Sequence, residues 1–246
     1  MKDFNHDFFD EIYFFNTLES SSKKAVSMIK NRMVNGNFLV LTHKQSGGIG
    51  RDKNAWYSPY GGIWFTMGLN GFLFETTLTL FAGITLHKTI CLLFPQLAKN
   101  LYLKWPNDLY YKDKKIAGIL TNHFSFYGYY IIGVGLDSNV DIFPDHLENT
   151  ASSLKVILGK EVENEKIVDT FFDIFMKDLP DYLENNFDVK YFNNVSLLKE
   201  KKVVIDTNFE VFEGTSLGVN KKGALIIKFN SGIIQPFYSG SIVNFK

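Results

Sequence analysis

The residues best suited to chemistry fall in three short stretches. The first is Lys104-Trp105-Pro106-Asn107-Asp108, followed closely by Lys114-Lys115-Ile116-Ala117-Gly118-Ile119-Leu120. The second is the Gly-rich run Gly47-Gly48-Ile49-Gly50-Arg51-Asp52-Lys53. Its glycines let backbone N–H groups approach a ligand closely, and the Arg51 guanidinium bonds phosphate oxygens in pairs. The third is Ser20-Ser21-Ser22 with Gln45 further on, hydroxyls that cap a helix or face a pocket. Each has a plainer reading as well. A Pro-Asn-Asp run is often only a turn, a lysine before an apolar run a solvated strand end, and a Gly-rich stretch a surface loop. Other motif chemistry is excluded. Gly133-Val134-Gly135 lacks the third glycine and following helix of a dinucleotide fold, and no Gly-Lys-Ser/Thr closes the Gly-rich run as in a Walker loop. The five histidines lack metal-ligand spacing, and His43 and His87 read as structural.

The elements that must position these groups can be read in order. Of 246 residues, 46% are hydrophobic and 21% charged, which suits one large domain with or without a small appendage. A strand is expected over 12–17, then a helix from the serine cap to about residue 34, stopped by Asn35-Gly36-Asn37. A short strand at 38–42 leads into a long loop over 45–56, of the kind that is functional or mobile and here expected to gate the site. Strand 63–67, helix 76–94 with its Pro95 stop, and strand 101–104 deliver the pentad. Antiparallel strands follow at 109–111, 115–122 and 127–134, then a loop at 141–150 and helical segments at 162–183 and 189–198. From residue 201 the pattern becomes short strands between turns (203–205, 210–219, 224–229, 233–238, 242–245), a small β-barrel.

Composition limits the partners. Lys plus Arg and Asp plus Glu each number 26, so no global basic field argues for nucleic acid or an anionic membrane. About a dozen residues precede the first expected strand, too few for a helix-turn-helix, so no DNA binding is expected. Without an apolar run of about 18 residues no membrane span is expected. The single Cys91 and an acidic, polar stretch at 1–10 make a cytoplasmic protein the default.

The Lys-Trp-Pro-Asn-Asp pentad and the Lys-Ile-Ala-Gly-Ile-Leu run, at this spacing, resemble the signature of the biotin–protein ligases. The resemblance covers nearly the whole chain and looks most like the monofunctional class without a DNA-binding domain. It implies an α/β (α+β) fold, a mixed sheet flanked by helices, with a class II synthetase-like catalytic domain at 1–198 and an SH3-like β domain at 199–246. The implied reaction joins biotin to ATP as biotinyl-5′-AMP, then passes biotin to a lysine of a biotin carboxyl carrier protein. ATP and Mg²⁺ are the implied cofactors. The sequence leaves open whether the chain works as a homodimer.

By the same resemblance, Lys115 meets the biotin carboxylate and the α-phosphate, and Arg51 the adenylate phosphate. Ser20, Ser21, Ser22 and Gln45 take the ureido ring, whose neutral donor–acceptor edge suits hydroxyls and an amide. Gly48, Ile49 and Gly50 offer backbone contacts, and Trp56, Gly118, Gly133 and Gly135 wall the pocket. Asn107 and Asp137, with Arg51, Trp56 and Lys115, contact the nucleotide. Asp108 either holds magnesium or orients the incoming amine. The chain departs from the family pattern at Ile49 and Asp52, where basic residues are expected, at Ser22 for Asn, and at Asp137 for Asn. Ala151-Ser152-Ser153-Leu154 resembles the family's Ala-Thr-Ser-Leu. Two rival readings remain: a lipoate–protein ligase of the same fold, and a catalytically weak biotin-binding regulator.

Overall fold

The computed structural model describes residues 4–245; residues 1–3 of the polar N-terminal stretch, and residue 246, lie outside them. The main sheet comprises β1 (Glu11–Leu18), β2 (Phe38–Ile49), β3 (Ala55–Ser58), β4 (Ile63–Asn70), β5 (Leu101–Lys104), β6 (Asp108–Tyr111), β7 (Lys114–Phe124) and β8 (Tyr129–Leu136). Their order is β1-β2-β4-β8-β7-β6-β5, with β3 paired to β2 beyond β4's reach. Only β1 and β2 run parallel; the other pairs are antiparallel.

The apolar run in β2 is explained by burial on both faces. Successive side chains of a strand point to opposite sides. Phe38 and Val40 pack with Ala25, Met28 and Ile29 of helix α1 (Ser21–Lys30), while Leu39 and Leu41 belong to the opposite core. That second core is covered by α2 (Leu78–Leu93) and α5 (Asn164–Asn185), the latter through Phe171, Phe172 and Phe175. Short helices α3 (Asp145–Glu148) and α4 (Leu154–Leu158) precede α5, and α6 (Val189–Asn194) follows it.

Two local expectations are corrected. Helix α1 stops at Lys30 rather than near residue 34, because the Asn31 N–H closes on the carbonyls of Ser27 and Ile29 and Arg32 turns to φ 53°. Residues 45–56 are not one long loop. β2 runs on through Ile49 and pairs with β3, Gly48 opposite Trp56 and Ile49 opposite Ala55. A Cβ on Gly48 would lie 2.5 Å from the Trp56 carbonyl oxygen, so that glycine lets the two strands close on one another. Only 50–54 form a tip, around a 3-10 turn with Asp52 and Lys53 at φ 56° and 62°.

The C-terminal segment forms its own antiparallel sheet: β9 (Lys202–Asp206), β10 (Val211–Val219), β11 (Leu225–Lys228), β12 (Ile234–Phe237) and β13 (Ser241–Phe245), in the order β12-β11-β10-β9-β13. This is the small C-terminal β unit expected from the turn spacing. Val203, Ile205, Leu225 and Ile227 join the same core as α2 and α5. The Trp105 indole N–H donates to the Gly223 carbonyl at 2.9 Å, fixing the pentad to this second sheet. Among the described residues, no helix is long and apolar enough to cross a membrane.

Candidate active site

A cavity of about 380 Å³ opens where β8, β7 and the β2–β3 hairpin meet the pentad turn. Its floor follows from strand periodicity: Gly133 and Gly135 of β8, then Asp137 just past it, recur every second residue. They span roughly 13 Å, and each marks a different chemistry.

At Gly133 the surroundings are neutral and hydrogen-bonding. Gln45 Oε1 accepts from the Ser21 N–H at 2.7 Å and from its hydroxyl at 3.1 Å. Gln45 Nε2 donates to Ser58 Oγ at 2.8 Å, so its amide orientation is fixed at both ends. Thr66, fully buried in β4, shares its hydroxyl with Ser21 Oγ at 2.8 Å and Ser22 Oγ at 3.1 Å. A Cβ on Gly133 would stand 2.8 Å from Ser22 Oγ, so glycine is needed for that serine to face inward.

The middle is a flat platform. Gly118 of β7 and Gly135 of β8 are direct cross-strand partners, and the Trp56 indole lies on both. A Cβ would come within 3.1 Å of the ring at Gly118 and 2.4 Å of Nε1 at Gly135. Lys115 Nζ sits 4.9 Å from the centroid of the same ring. Trp56 Nε1 is buried without a hydrogen-bond partner.

The third region is charged. Lys115 is positioned by its backbone, its N–H on the Thr150 carbonyl at 2.8 Å and its carbonyl accepting from Ser152 at 3.0 Å. Its Nζ stands 2.6 Å from Asp108 Oδ1, at an angle outside hydrogen-bond geometry, so the pair is coulombic. Lys104 faces Asp108 across β5 and β6. Burial pulls the Lys104 amine below its ordinary pKa; Lys115 and Arg51 add to this and Asp108 opposes it. Asp137 is buried with one carboxylate oxygen unpartnered, and burial pushes its pKa well up against the pull of Lys115. Arg51 lines the cavity, but its guanidinium bonds the Gly240 carbonyl at 2.7 Å and Ser241 Oγ at 2.6 Å.

The structure thus brings Ser21, Ser22, Gln45, Ile49, Gly50, Arg51, Trp56, Asn107, Asp108, Lys115, Gly118, Gly133, Gly135 and Asp137 to one cavity. It does not bring Ser20 or Gly48 there. Ser20 is buried as the N-cap of α1, accepting from the Lys23 N–H at 3.4 Å, and Gly48 serves the hairpin. Asn107 lines the cavity, but its amide donates to the Ile119 carbonyl at 2.9 Å, locking the pentad turn to β7. Sequence reasoning gave no role to Thr66, Ser58, Lys104, Tyr110, Ser241 or Ile242. A lone threonine within Ile63-Trp64-Phe65-Thr66-Met67 was the available signal for the first. Nothing in the sequence marked the C-terminal pair.

Comparison with known proteins decides the family. Residues 17–137 match the family model described as the biotin/lipoate A/B protein ligase family. The bifunctional ligase/repressor BirA of Bacillus spizizenii is 30% identical over 241 residues, covering 91% of this chain and 71% of that protein. The chain belongs to the biotin/lipoate A/B protein ligase family. It is an enzyme, a ligase. The biotin–[acetyl-CoA-carboxylase] ligase of Paracoccus denitrificans is 27% identical, with 87% of this chain and 92% of that one covered. The fold of this ligase is also that of the Aquifex aeolicus biotin protein ligase solved with biotin and ATP. There the TM-score is 0.83 at 22% identity, covering 97% and 99% of the two chains.

Proposed function

We propose that the chain forms biotinyl-5′-adenylate from biotin and ATP and transfers biotin to a lysine of a biotin carboxyl carrier protein. The observation that carries this is the polarity along the cavity. A neutral donor–acceptor cluster (Ser21, Ser22, Gln45, Thr66) is joined across the Trp56 platform to a cationic region at Lys115. A ureido ring suits the first, an aliphatic carboxylate stem the platform, and a carboxylate meeting a phosphate the last. The dithiolane ring of lipoate offers no hydrogen-bonding edge to the neutral cluster, whose buried polar groups favour a ligand that can pair with them.

In the first step a biotin carboxylate oxygen attacks the α-phosphorus and pyrophosphate leaves. Both reactants are anionic, and Lys115 supplies the fixed cation at their junction. In the second, a carrier lysine amine attacks the acyl carbon and AMP leaves. Asp108, beside Lys115, is positioned to orient that amine. Among the described residues no three His, Cys, Asp or Glu side chains cluster as a metal site. Asp108 lines the cavity, which fits a magnesium ion arriving on the nucleotide, held by that carboxylate and the phosphates. Bound there, it would neutralise phosphate oxygens. DNA and the membrane have no part in this reading, and the cytoplasm is its setting.

Pyrophosphate release is the test, measured with ATP and either biotin or lipoate, followed by mass analysis of a biotin carboxyl carrier domain. Biotin-dependent release and a single biotinylated lysine are expected. Release with lipoate alone would move the assignment to the lipoate branch, and biotin binding without release would make the chain a non-catalytic binder.

A further inference from the structure

The neutral end of the cavity rests on a chain of hydroxyls whose protons have one satisfactory placement. A serine or threonine hydroxyl carries one proton and two lone pairs, and an amide oxygen only accepts. The Gln45 amide is fixed first. Its Oε1 takes the Ser21 backbone N–H at 2.7 Å, so the NH₂ group cannot stand there. Its Nε2 donates to Ser58 Oγ at 2.8 Å, and Ser58 passes its own proton to the Trp56 carbonyl at 3.1 Å. Ser21 Oγ lies 3.1 Å from the same Oε1. Two oxygens at that distance need a proton between them, and only Ser21 has one. The Ser21 proton is therefore spent on Gln45.

The other protons follow in turn. Thr66 Oγ1 stands 2.8 Å from Ser21 Oγ, which has no proton left, so Thr66 donates. Ser22 Oγ stands 3.1 Å from Thr66 Oγ1, whose proton is now spent, so Ser22 donates. The bonds run one way, from Ser22 through Thr66 and Ser21 to Gln45. The reverse direction would leave the Ser21 and Gln45 oxygens facing each other with lone pairs alone. Ser21 and Thr66 are both buried, where an unmade bond carries the full cost of desolvation. Thr66 sits behind the cavity wall, while Ser22, at the open end of the chain, lines the cavity beside Gly133. With its proton turned back into the fold, Ser22 offers a ligand only lone pairs.

We infer that Thr66 is a positioning residue that makes Ser22 an acceptor only, so that this end of the cavity selects a ligand ring presenting an N–H to Ser22 and rejects a ring presenting an oxygen there. The inference rests on the biotin reading and extends it: the ureido ring meets Ser22 through an N–H and not through its carbonyl. Thr66 touches no ligand. It acts by taking the Ser22 proton, and the direction it imposes is set four residues away, by the orientation of the Gln45 amide on Ser58.

The test is calorimetric titration of four ligands: biotin, desthiobiotin, and the two cyclic carbamates in which one or the other ureido N–H of biotin is replaced by oxygen. They are titrated into the wild-type chain and the variants Thr66→Val, Thr66→Ser and Ser22→Ala. In the wild type, the carbamate that sets its ring oxygen against Ser22 should bind roughly 10–100-fold more weakly than biotin, because two acceptors then face each other. Thr66→Val is similar in shape but takes no proton, which frees Ser22 to donate. The same carbamate should then bind within several-fold of biotin, while biotin and desthiobiotin, which keep the whole ureido ring, weaken by no more than several-fold. Thr66→Ser keeps the hydroxyl and should keep the wild-type discrimination. Ser22→Ala leaves Thr66 in place and should also erase it. Discrimination that survives in Thr66→Val would overturn the proposal, as would a wild-type chain that rejects neither carbamate. An equal loss for all four ligands in Thr66→Val would overturn it too, leaving Thr66 as core packing. A wild-type chain that binds neither biotin nor desthiobiotin would refute the biotin reading itself, and the proposal with it.

Discussion

Replacing Arg51 by glycine tests whether the hairpin tip retains the proposed adenylate. The Arg51 guanidinium is engaged to the Gly240 carbonyl at 2.7 Å and Ser241 Oγ at 2.6 Å, with Nε 3.4 Å from Asp52. A charge-assisted bond to the adenylate phosphate contributes about 1.5–3 kcal/mol. If Arg51 must first leave β13, it gives up two bonds worth together about 1–2 kcal/mol. The net is then about 1 kcal/mol, and Arg51→Gly should release the adenylate about 5-fold faster. If Arg51 instead keeps β13 and reaches phosphate with its remaining donors, the full bond is lost and release accelerates roughly 10–150-fold. Either way the ligand-free variant loses its tie to β13, and its melting temperature should fall by about 2–8 °C for a chain of this size. The assay is adenylate dissociation from preloaded protein, together with blotting for biotin on a bystander protein such as an albumin. Free adenylate is an acylating agent, so faster release should label exposed lysines indiscriminately. Unchanged dissociation, with labelling confined to the carrier domain, would refute any role for Arg51 in retention.

Three further outcomes are expected. Lys115→Ala should lower pyrophosphate release roughly 10²–10³-fold while the circular dichroism stays native; near wild-type release would remove Lys115 from the reaction. Gly135→Ala places a Cβ 2.4 Å from Trp56 Nε1, so the indole must leave its platform. Biotin affinity should fall by about 1–3 kcal/mol by calorimetry, with a changed tryptophan emission, and Gly118→Ala, at 3.1 Å, should cost less. Asp137 has its pKa raised by burial, so the folded state holds that proton more tightly than the unfolded. Its stability contribution is complete below the ordinary carboxylate pKa and is lost as pH rises through the elevated folded value. Asp137→Asn should remove that loss, leaving the variant relatively more stable at neutral than at acid pH; parallel melting-temperature profiles against pH would contradict this.

The fold was most legible where periodicity and turn chemistry agree. β5 was expected at 101–104 and found at Leu101–Lys104, because the Pro95 stop of α2 and the pentad bracket it. Helix α5 was expected two residues early at each end because Val162 extends the apolar pattern ahead of the cap Glu163, and Leu183 is the last apolar residue before the polar final turn, Glu184-Asn185, and the cap Asn186. The five C-terminal strands were visible because Asn208, Lys222-Gly223 and Ser231-Gly232 punctuate them, although Gly214, read as a break, lies within β10. The hairpin at 45–58 was not. A glycine in a strand usually signals weakness, whereas Gly48 permits a close strand approach that no one-dimensional pattern records.

The site divides along the same line. Lys115, Asp108 and the glycines at 118, 133 and 135 could be placed because each belongs to a stretch whose residue types and spacing are constrained together. A motif residue can serve the fold as well as a ligand. Ser20 caps a helix and Asn107 locks a turn, so that Ser21, Ser22 and Asp108 are held where the cavity needs them. The reverse failure concerns contacts made across long stretches of chain. Arg51 meets Gly240 and Ser241 across 189 and 190 residues, and Lys104 meets Ile242 across 138. No local pattern carries such a pairing, because it depends on how the second sheet packs on the first through Trp105, Asn193 and the shared core. If Arg51 takes the adenylate phosphate, as proposed, phosphate recognition is tied to the stability of a sheet that supplies few of the cavity's side chains. A destabilised C-terminal sheet should therefore weaken nucleotide binding before it weakens the binding of biotin, whose neutral cluster is built wholly from α1, β2, β3 and β4.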